Sequence, residues 1–235
     1  MEKYFDVSYI IEAIPMLLPF LKMTFLVAGL SVLFGTILGL ILAVMKLSKS
    51  NIAQKIAHGY TTVLRCTPSI VLLFLTYYGI PAIASNFGAD LNDVDTAVFV
   101  IITFTLQFGA LMSEVIRTAY QSIDRGQFEA AVSVGLSDVQ AYRRIILPQA
   151  FVVALPNFGN SLLELMKEGA LAYTIGLIDV MGKANLIIAG NYNAHALEIY
   201  IALSIIYWVL SIAIEQFFLK LEKVFSKGKQ VIKTM

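Results

Sequence analysis

Residues Glu129–Pro148 read EAAVSVGLSDVQAYRRIILP, a charged and patterned segment between two long apolar runs. Gly135 interrupts its helix-forming residues, because glycine loses more backbone freedom than any other residue when it enters a helix. We therefore predict two short helices, one over Gln127–Val134 and one that starts from a polar cap at Ser137 or Asp138 and ends at the final proline. This pattern fits either an amphipathic hairpin lying on a membrane or a docking surface for a soluble partner.

The segments around this loop are long and apolar enough to cross a membrane. Of the 235 residues, 58% are hydrophobic and 14% are charged. In a typical soluble domain about a quarter of the residues are charged. A spanning helix needs about 20 apolar residues, and five runs reach or approach that length: Met23–Met45, Cys66–Ala89, Thr96–Ser113, Ile145–Leu163 and Ile199–Ile214. The shorter run Gly169–Ile178 is predicted to continue the fourth span, to re-enter the membrane or to lie on its surface. We predict an all-α integral membrane protein, one domain over residues 1–235, with about five transmembrane helices.

Basic residues lie on one side of these predicted spans. They follow the first span, surround the loop and fill the tail: Lys46, Lys49, Lys55, Arg65, Arg117, Arg125, Arg143, Arg144, Lys220, Lys223, Lys227, Lys229 and Lys233. The segment Ser85–Asp95 has three aspartates and no base. Because basic loops stay in the cytoplasm, we expect the N-terminus outside and both the loop and the C-terminus inside. The last span continues past Glu215, which we expect to face protein and not lipid.

Several other classes of protein are disfavoured by the composition. A net charge of +1 gives no general attraction to nucleic acid. One cysteine cannot form an intramolecular disulfide, and no His/Cys cluster has metal-ligand spacing. The segment from Gly176 to Lys183 is a poor phosphate-binding loop, because its glycines are one residue too far apart and Ala184 replaces the magnesium-binding hydroxyl residue.

The spacing of the loop residues resembles the EAA loop of ABC importer permeases: Glu129, Ala130, Ala131, Gly135 after three residues, Ile145 after nine more, then Leu147 and Pro148. Two further motifs resemble the polar amino-acid uptake branch of that family. They are Arg65-Cys66-Thr67-Pro68, where the branch has R-G-T-P, and an E-x-x-R motif at Glu114 and Arg117. The similarity runs from about Thr24 to Glu222.

This resemblance implies the type I ABC importer permease fold and a non-catalytic half-transporter in a bacterial inner membrane. Two permease subunits, identical or related, would form one pathway, with two cytoplasmic ATPase subunits beneath it and an extracellular solute-binding protein above. Residues 125–148 would be the coupling loop, whose small Ala130 and Ala131 allow close approach to an ATPase. ATP and magnesium would be bound by the ATPase subunits, and this chain would bind no cofactor.

Polar residues within the spans are the candidate substrate contacts, because such groups usually face a partner or a pathway. Glu164, Lys167 and Glu168 share one helix face, so Lys167 can pair with Glu164. Gln107 and Asn160 lie in the third and fourth spans. For each of these residues a purely structural role, as an ion pair or a helix–helix contact, is the alternative.

The resemblance leaves two questions open: which substrate is transported, and whether the protein belongs to another class of membrane protein. The family commonly has K-D-T-S-L where this chain has Lys167-Glu168-Gly169-Ala170-Leu171, so lysine-type, glutamine-type and cystine-type substrates all remain in view. An ATPase-independent channel or secondary carrier would also span the membrane, although it would not require the loop. A membrane enzyme is remote, because the sequence offers no paired nucleophile and base and no metal cluster.

Overall fold

Long helices occupy the five predicted spans. The computed structural model describes residues 5–226, which form ten α-helices joined by short 3₁₀ and π-helical turns, without a strand. The helices are α1 Val7–Leu17, α2 Leu21–Leu47, α3 Asn51–Cys66, α4 Ser69–Asn86, α5 Thr96–Gln121, α6 Arg125–Ser133, α7 Asp138–Ala141, α8 Leu147–Glu168, α9 Val180–Gly190 and α10 Ala196–Phe225. Five stretches are long and apolar enough to cross a membrane, which confirms the predicted all-α fold. Lys227, Lys229 and Lys233 lie outside the described residues.

The second span differs from its prediction at its first residue. The apolar run begins at Cys66 in the sequence, but the chain turns at Pro68 and α4 begins at Ser69. The residues before this turn form α3, which the sequence analysis did not predict. The helix α3 has one buried side, with Ala57 and Thr61, while basic and apolar residues share its exposed sides.

The fourth span is continuous with the segment that follows it. A 3₁₀ helix over Gly169–Ile175 extends α8 directly, so the first of the three predicted alternatives for Gly169–Ile178 is confirmed. Gly176 ends this extension with a φ of +92°, a conformation that favours glycine. Asp179 then caps α9, its carboxylate accepting hydrogen bonds from the Gly182 N–H at 2.9 Å and the Thr24 hydroxyl at 3.3 Å.

The core lies where α2 crosses α5. Gly35 and Gly39 of α2 bring the two backbones together, because a Cβ on Gly35 would lie 2.9 Å from the Phe108 Cβ and one on Gly39 2.5 Å from the Met112 Cβ. Glycines at such positions permit close packing of membrane helices. The buried side chains around this crossing form one cluster that also includes α4 and α8 residues: Leu73, Val100, Phe104, Phe108, Met112 and Leu165.

A second cluster joins the N-terminal helix to the last one. Leu17 of α1, Val180 and Ala184 of α9, and Ile199 and Ala202 of α10 are buried together.

At the start of α1, the Asp6 carboxylate accepts hydrogen bonds from the Ser8 hydroxyl at 2.6 Å and the Ser8 N–H at 2.9 Å. These two bonds stabilise the charged carboxylate and lower the pKa of Asp6.

Candidate coupling surface and translocation face

The loop after α5 folds into a helical hairpin whose turn depends on Gly135. The helix α6 ends in a pair of hydrogen bonds, from the Gly135 N–H to the Val132 carbonyl at 2.9 Å and from the Leu136 N–H to the Ala131 carbonyl at 3.2 Å. Gly135 has a φ of +90°, which a residue with a side chain adopts only at a cost. The predicted helix break at this glycine is therefore present, one residue beyond the end of α6 and its cap.

The second helix of the hairpin does not stop at Pro148 as predicted. Ser137 caps α7 through a reciprocal pair of bonds with Gln140. The chain then continues through a π-helical turn over Tyr142–Ile146 directly into α8, with Pro148 at the second position of α8. In a regular α-helix the proline ring clashes with the carbonyl four residues earlier, and the wider turn just before Pro148 accommodates it. The hairpin is thus joined to a membrane-spanning helix without a break.

Only some of the predicted coupling residues face outward. Glu129, Ala130, Gly135, Leu147 and Pro148 are exposed, whereas Ala131 is 3% exposed. Ala131 packs against its own chain and offers no surface to a partner, which corrects the expectation that both alanines do so.

Two valines that the sequence analysis did not single out supply the apolar part of the hairpin surface. Val134 is 80% exposed and Val139 is 74% exposed, one on each side of the Gly135 turn. Apolar side chains at the tip of a polar loop are the sequence signal that could have identified them.

A cleft of about 760 Å³ separates the hairpin from the ends of α2, α3 and α5. Tyr120, Phe128 and Tyr142 form its aromatic side, and Lys46, Asp124, Arg125 and Glu129 bring both signs of charge to it. The Phe128 and Tyr142 rings pack with centroids 5.1 Å apart, which fixes α6 against the start of the fourth span.

An ion network lies beside this cleft. The Lys46 ammonium has a fully buried side chain and contacts the Glu114 carboxylate at 2.5 Å and the Ser113 hydroxyl at 2.9 Å. The other oxygen of Glu114 accepts bonds from Arg117 Nε at 2.9 Å and Nη2 at 2.6 Å. The network ties α2 to α5 near the end that carries the hairpin.

The helix α8 carries a polar stripe that its own chain does not cover. Asn157, Asn160, Glu164 and Lys167 recur at intervals of three and four residues and are all exposed. Lys167 forms no salt bridge with Glu164 or with any other described residue, so the predicted pairing is wrong. A stripe of this kind within a spanning helix is costly against lipid.

Two candidate substrate residues meet behind this stripe. The Gln107 amide donates a 2.6 Å hydrogen bond to the Ser69 hydroxyl, and the same hydroxyl lies beside the half-buried Glu168 carboxylate. The Gln107 carbonyl oxygen is buried and has no partner among the described residues. Ser69 was missed by the sequence analysis, and its position directly after Pro68 gave no chemical signal.

The environment of Glu215 differs from the predicted one. It is exposed on α10, so it does not face the interior of its own chain. Because a carboxylate within a span avoids lipid, this side of α10, like the α8 stripe, needs a cover that the single chain does not supply.

Comparison with known proteins identifies the chain's family. A family model described as a binding-protein-dependent transport system inner membrane component matches residues 35–226. The L-cystine transport system permease protein TcyL of Bacillus subtilis (strain 168) is 40% identical over 235 residues, which are 100% of this chain and 98% of that protein. The probable amino-acid permease protein YxeN of the same strain is 37% identical and covers 88% of this chain and 90% of its own length.

Solved structures agree with these matches. A chain described as "Crystal structure of an amino acid ABC transporter with histidines" has a TM-score of 0.81 at 30% identity and covers 94% of this chain and 99% of its own length. A MetNI methionine ABC transporter chain at 19% identity has a TM-score of 0.63 and shares the fold. The chain therefore belongs to the binding-protein-dependent transport system inner membrane component family, the multi-pass and non-catalytic permeases of ABC importers.

Proposed function

We propose that this chain forms half of the translocation pathway of an ATP-driven amino-acid importer, as one permease domain over residues 1–235. The observation that carries the proposal is the uncovered polar stripe on α8, which lies next to the half-buried Gln107–Ser69–Glu168 cluster. A spanning helix keeps such residues when they line an aqueous path or meet a second subunit. The relatives named above transport cystine or are probable amino-acid permeases, which supports an amino acid as cargo.

The second subunit would cover the α8 stripe and the exposed Glu215 face of α10. It is either another copy of this chain or a related permease. Substrate would pass between the two α8 stripes after delivery by an extracellular solute-binding protein. The composition of the gently purified assembly, measured by native mass spectrometry, decides between the two kinds of partner.

The hairpin over residues 125–148 would couple this pathway to a cytoplasmic ATPase subunit. Exposed Val134 and Val139 supply an apolar contact, and Glu129 and Ala130 are exposed beside them. Because α7 runs through the π-helical turn into α8, a shift of the hairpin moves the fourth span with it. In this proposal ATP and magnesium are bound by the ATPase subunits, and the chain itself binds no cofactor.

The coupling proposal is tested with aspartate substitutions on the exposed tip of the hairpin. Val134→Asp and Val139→Asp are expected to abolish co-purification of the ATPase and ATP-dependent uptake, because a charge then replaces the apolar contact. Val224→Asp, at an exposed valine near the end of α10 (58% exposed), is the matched control. Ala131 is unsuitable for this purpose, because it is buried and a charge there is expected to disturb the hairpin whether or not a partner binds. Undiminished uptake by both hairpin variants would favour an ATPase-independent carrier.

Recognition of the amino acid would use both the Gln107–Ser69–Glu168 cluster and the polar stripe on α8. The Glu168 carboxylate and the unpartnered Gln107 carbonyl oxygen can both accept hydrogen bonds from an ammonium group, while Lys167 can pair with a carboxylate. Glu164 and Asn160 lie on the same face of α8 and would line the path.

A panel of candidate amino acids is tested for stimulation of ATPase activity in the assembled transporter. Glu168→Gln is expected to raise the concentration for half-maximal stimulation by the preferred amino acid while basal hydrolysis stays unchanged. Glu164→Gln is expected to alter the order of preference among the panel. Glu12→Gln, at an exposed position on α1, is the control. Unchanged stimulation in both test variants would reduce these carboxylates to structural groups.

A further inference from the structure

A wide apolar groove opens between α2, α5, α8 and α10. Its volume is about 740 Å³, which lies within the ~300–1,000 Å³ of typical small-molecule sites. Thr36 and Tyr120 contribute the only hydroxyl groups of the lining, and all its other side chains are apolar. The space exists because four alanines line it: Ala43, Ala119, Ala150 and Ala154.

The groove has the length of one membrane leaflet. Along α2 it runs from Thr36 to Leu47, and along α8 from Leu147 to Phe158. Each distance is roughly 16 Å at the rise of an α-helix, and half of the hydrocarbon layer is ~15 Å thick. The groove ends where α2 and α5 end and α8 begins, next to the hairpin. In the orientation on which the proposed function relies, this is the cytoplasmic leaflet.

The mouth of the groove at the hairpin end is basic. Leu147 and Leu221 line this end, and two exposed basic residues, Arg143 and Arg144, precede Leu147. The two arginines precede Leu147 by about one turn within a continuous helical segment, so they lie on neighbouring parts of the same surface. Neither arginine forms a salt bridge with a described residue. Glu222, which is half-buried, is the nearest acid along α10 and leaves the mouth with a net positive charge.

We propose that the groove holds the acyl chains of an anionic phospholipid from the cytoplasmic leaflet, with its headgroup against Arg143 and Arg144. The competing occupant is a helix of the second permease subunit. An almost wholly apolar lining suits hydrocarbon chains, and basic residues beside the groove attract an anionic headgroup, which a membrane-spanning helix does not carry.

The lipid would act as a filler between the first span and the pair α8 and α10. Acyl chains against the four alanines would supply packing contacts that these small side chains do not make with one another. The arginines also belong to the hairpin segment, so the same headgroup contacts the chain at the point where the hairpin becomes α8.

The test measures phospholipid that stays bound to the purified permease after washing with lipid-free detergent. Mass spectrometry of the extracted lipid is expected to find an anionic phospholipid bound to the wild-type chain. Ala154→Phe fills the groove and is expected to lose this lipid. Ala213→Phe, an exposed alanine on α10 outside the groove, is expected to retain it. The double variant Arg143→Gln/Arg144→Gln is expected to lose preference for anionic over zwitterionic lipid by roughly 30-fold, at about 1 kcal/mol per charge.

Each outcome decides the question without reference to transport. Equal lipid retention by Ala154→Phe and wild type, or unchanged headgroup preference in the double arginine variant, would overturn the proposal. So would a structure of the assembled transporter in which a partner helix occupies the groove. The arginine variant alters only exposed residues and therefore tests the proposal even where the phenylalanine variant misfolds. Because the readout needs neither ATPase nor amino acid, it is independent of the function proposed above.

Discussion

Lys46 is the residue whose role the sequence and the structure describe most differently. In the sequence it marks the cytoplasmic end of the first span, as one of several lysines. In the structure its side chain is fully buried and held by Glu114. The predicted Glu114–Arg117 motif is present, but it is only one of the two ion pairs that Glu114 forms, the other being with Lys46. Burying an ammonium group costs several kcal/mol unless a partner compensates it, so Glu114 is the residue on which this network depends.

Replacing Glu114 is therefore expected to cost more than replacing Lys46. Glu114→Gln leaves the Lys46 charge buried against the Ser113 hydroxyl and a neutral amide. The loss should fall near the low end of the ~3–5 kcal/mol for a broken buried pair, because Glu114 is 22% exposed. Lys46→Met removes the buried charge itself and leaves Glu114 paired with Arg117. Thermal unfolding in detergent measures both variants, and a more damaging Lys46→Met would contradict this account.

At Gly135 the backbone itself requires glycine. No atom of the described residues lies within 4 Å of a Cβ built there, and φ is +90°. Gly135→Ala should therefore destabilise the hairpin through backbone strain alone, by roughly 1–2 kcal/mol. Faster cleavage of the hairpin in limited proteolysis is the expected result. Gly59→Ala on α3 has equal space and no positive φ, so it serves as the control and should leave cleavage unchanged.

At the scale of elements, the crossing of α2 and α5 holds the bundle together through small residues. Gly35 and Gly39 lie four residues apart in the sequence, and the structure places both against α5, at Phe108 and Met112. For Gly29, on the same helix, residues 5–226 place no atom within 4 Å of the Cβ position. The same residue type therefore has opposite consequences at different positions of one helix.

This contrast gives a matched pair of variants. Gly39→Ala should destabilise the protein by about 1–3 kcal/mol, because its Cβ collides with Met112 and the α5 backbone. Gly29→Ala should leave stability unchanged or raise it slightly, since alanine favours helix over glycine. Thermal midpoints of the two detergent-solubilised variants provide the comparison, and equal midpoints would mean that α2 and α5 are not tightly packed at Gly39.

For the whole molecule, the spans of the single chain leave polar side chains exposed where lipid would otherwise contact them. The α8 stripe and Glu215 are exposed at positions where a bilayer would otherwise meet them. Their compensation requires another subunit or water, which is the physical basis of the proposed two-subunit pathway. The proposed orientation then places the acidic α4–α5 loop outside and the hairpin inside the cell.

Cysteine labelling tests this orientation. In a Cys66→Ser background, a membrane-impermeant maleimide should label Asp93→Cys in intact cells, because Asp93 is exposed on the α4–α5 loop. Asp138→Cys, exposed on the hairpin, should react only after the membrane is opened. Labelling of Asp138→Cys in intact cells would reverse the proposed topology.

The sequence by itself determined the class of fold, the number of spans and the hairpin with its break at Gly135. These features follow from local rules, since apolar run length and glycine placement act within one segment of chain. Only the tertiary structure decided that Ala131 turns inward, that Lys46 shares Glu114, that Ser69 joins Gln107 to Glu168, and that Lys167 leaves Glu164 unpaired. Each of these depends on which face of a helix meets which neighbour, and that is set by packing between segments far apart in the sequence.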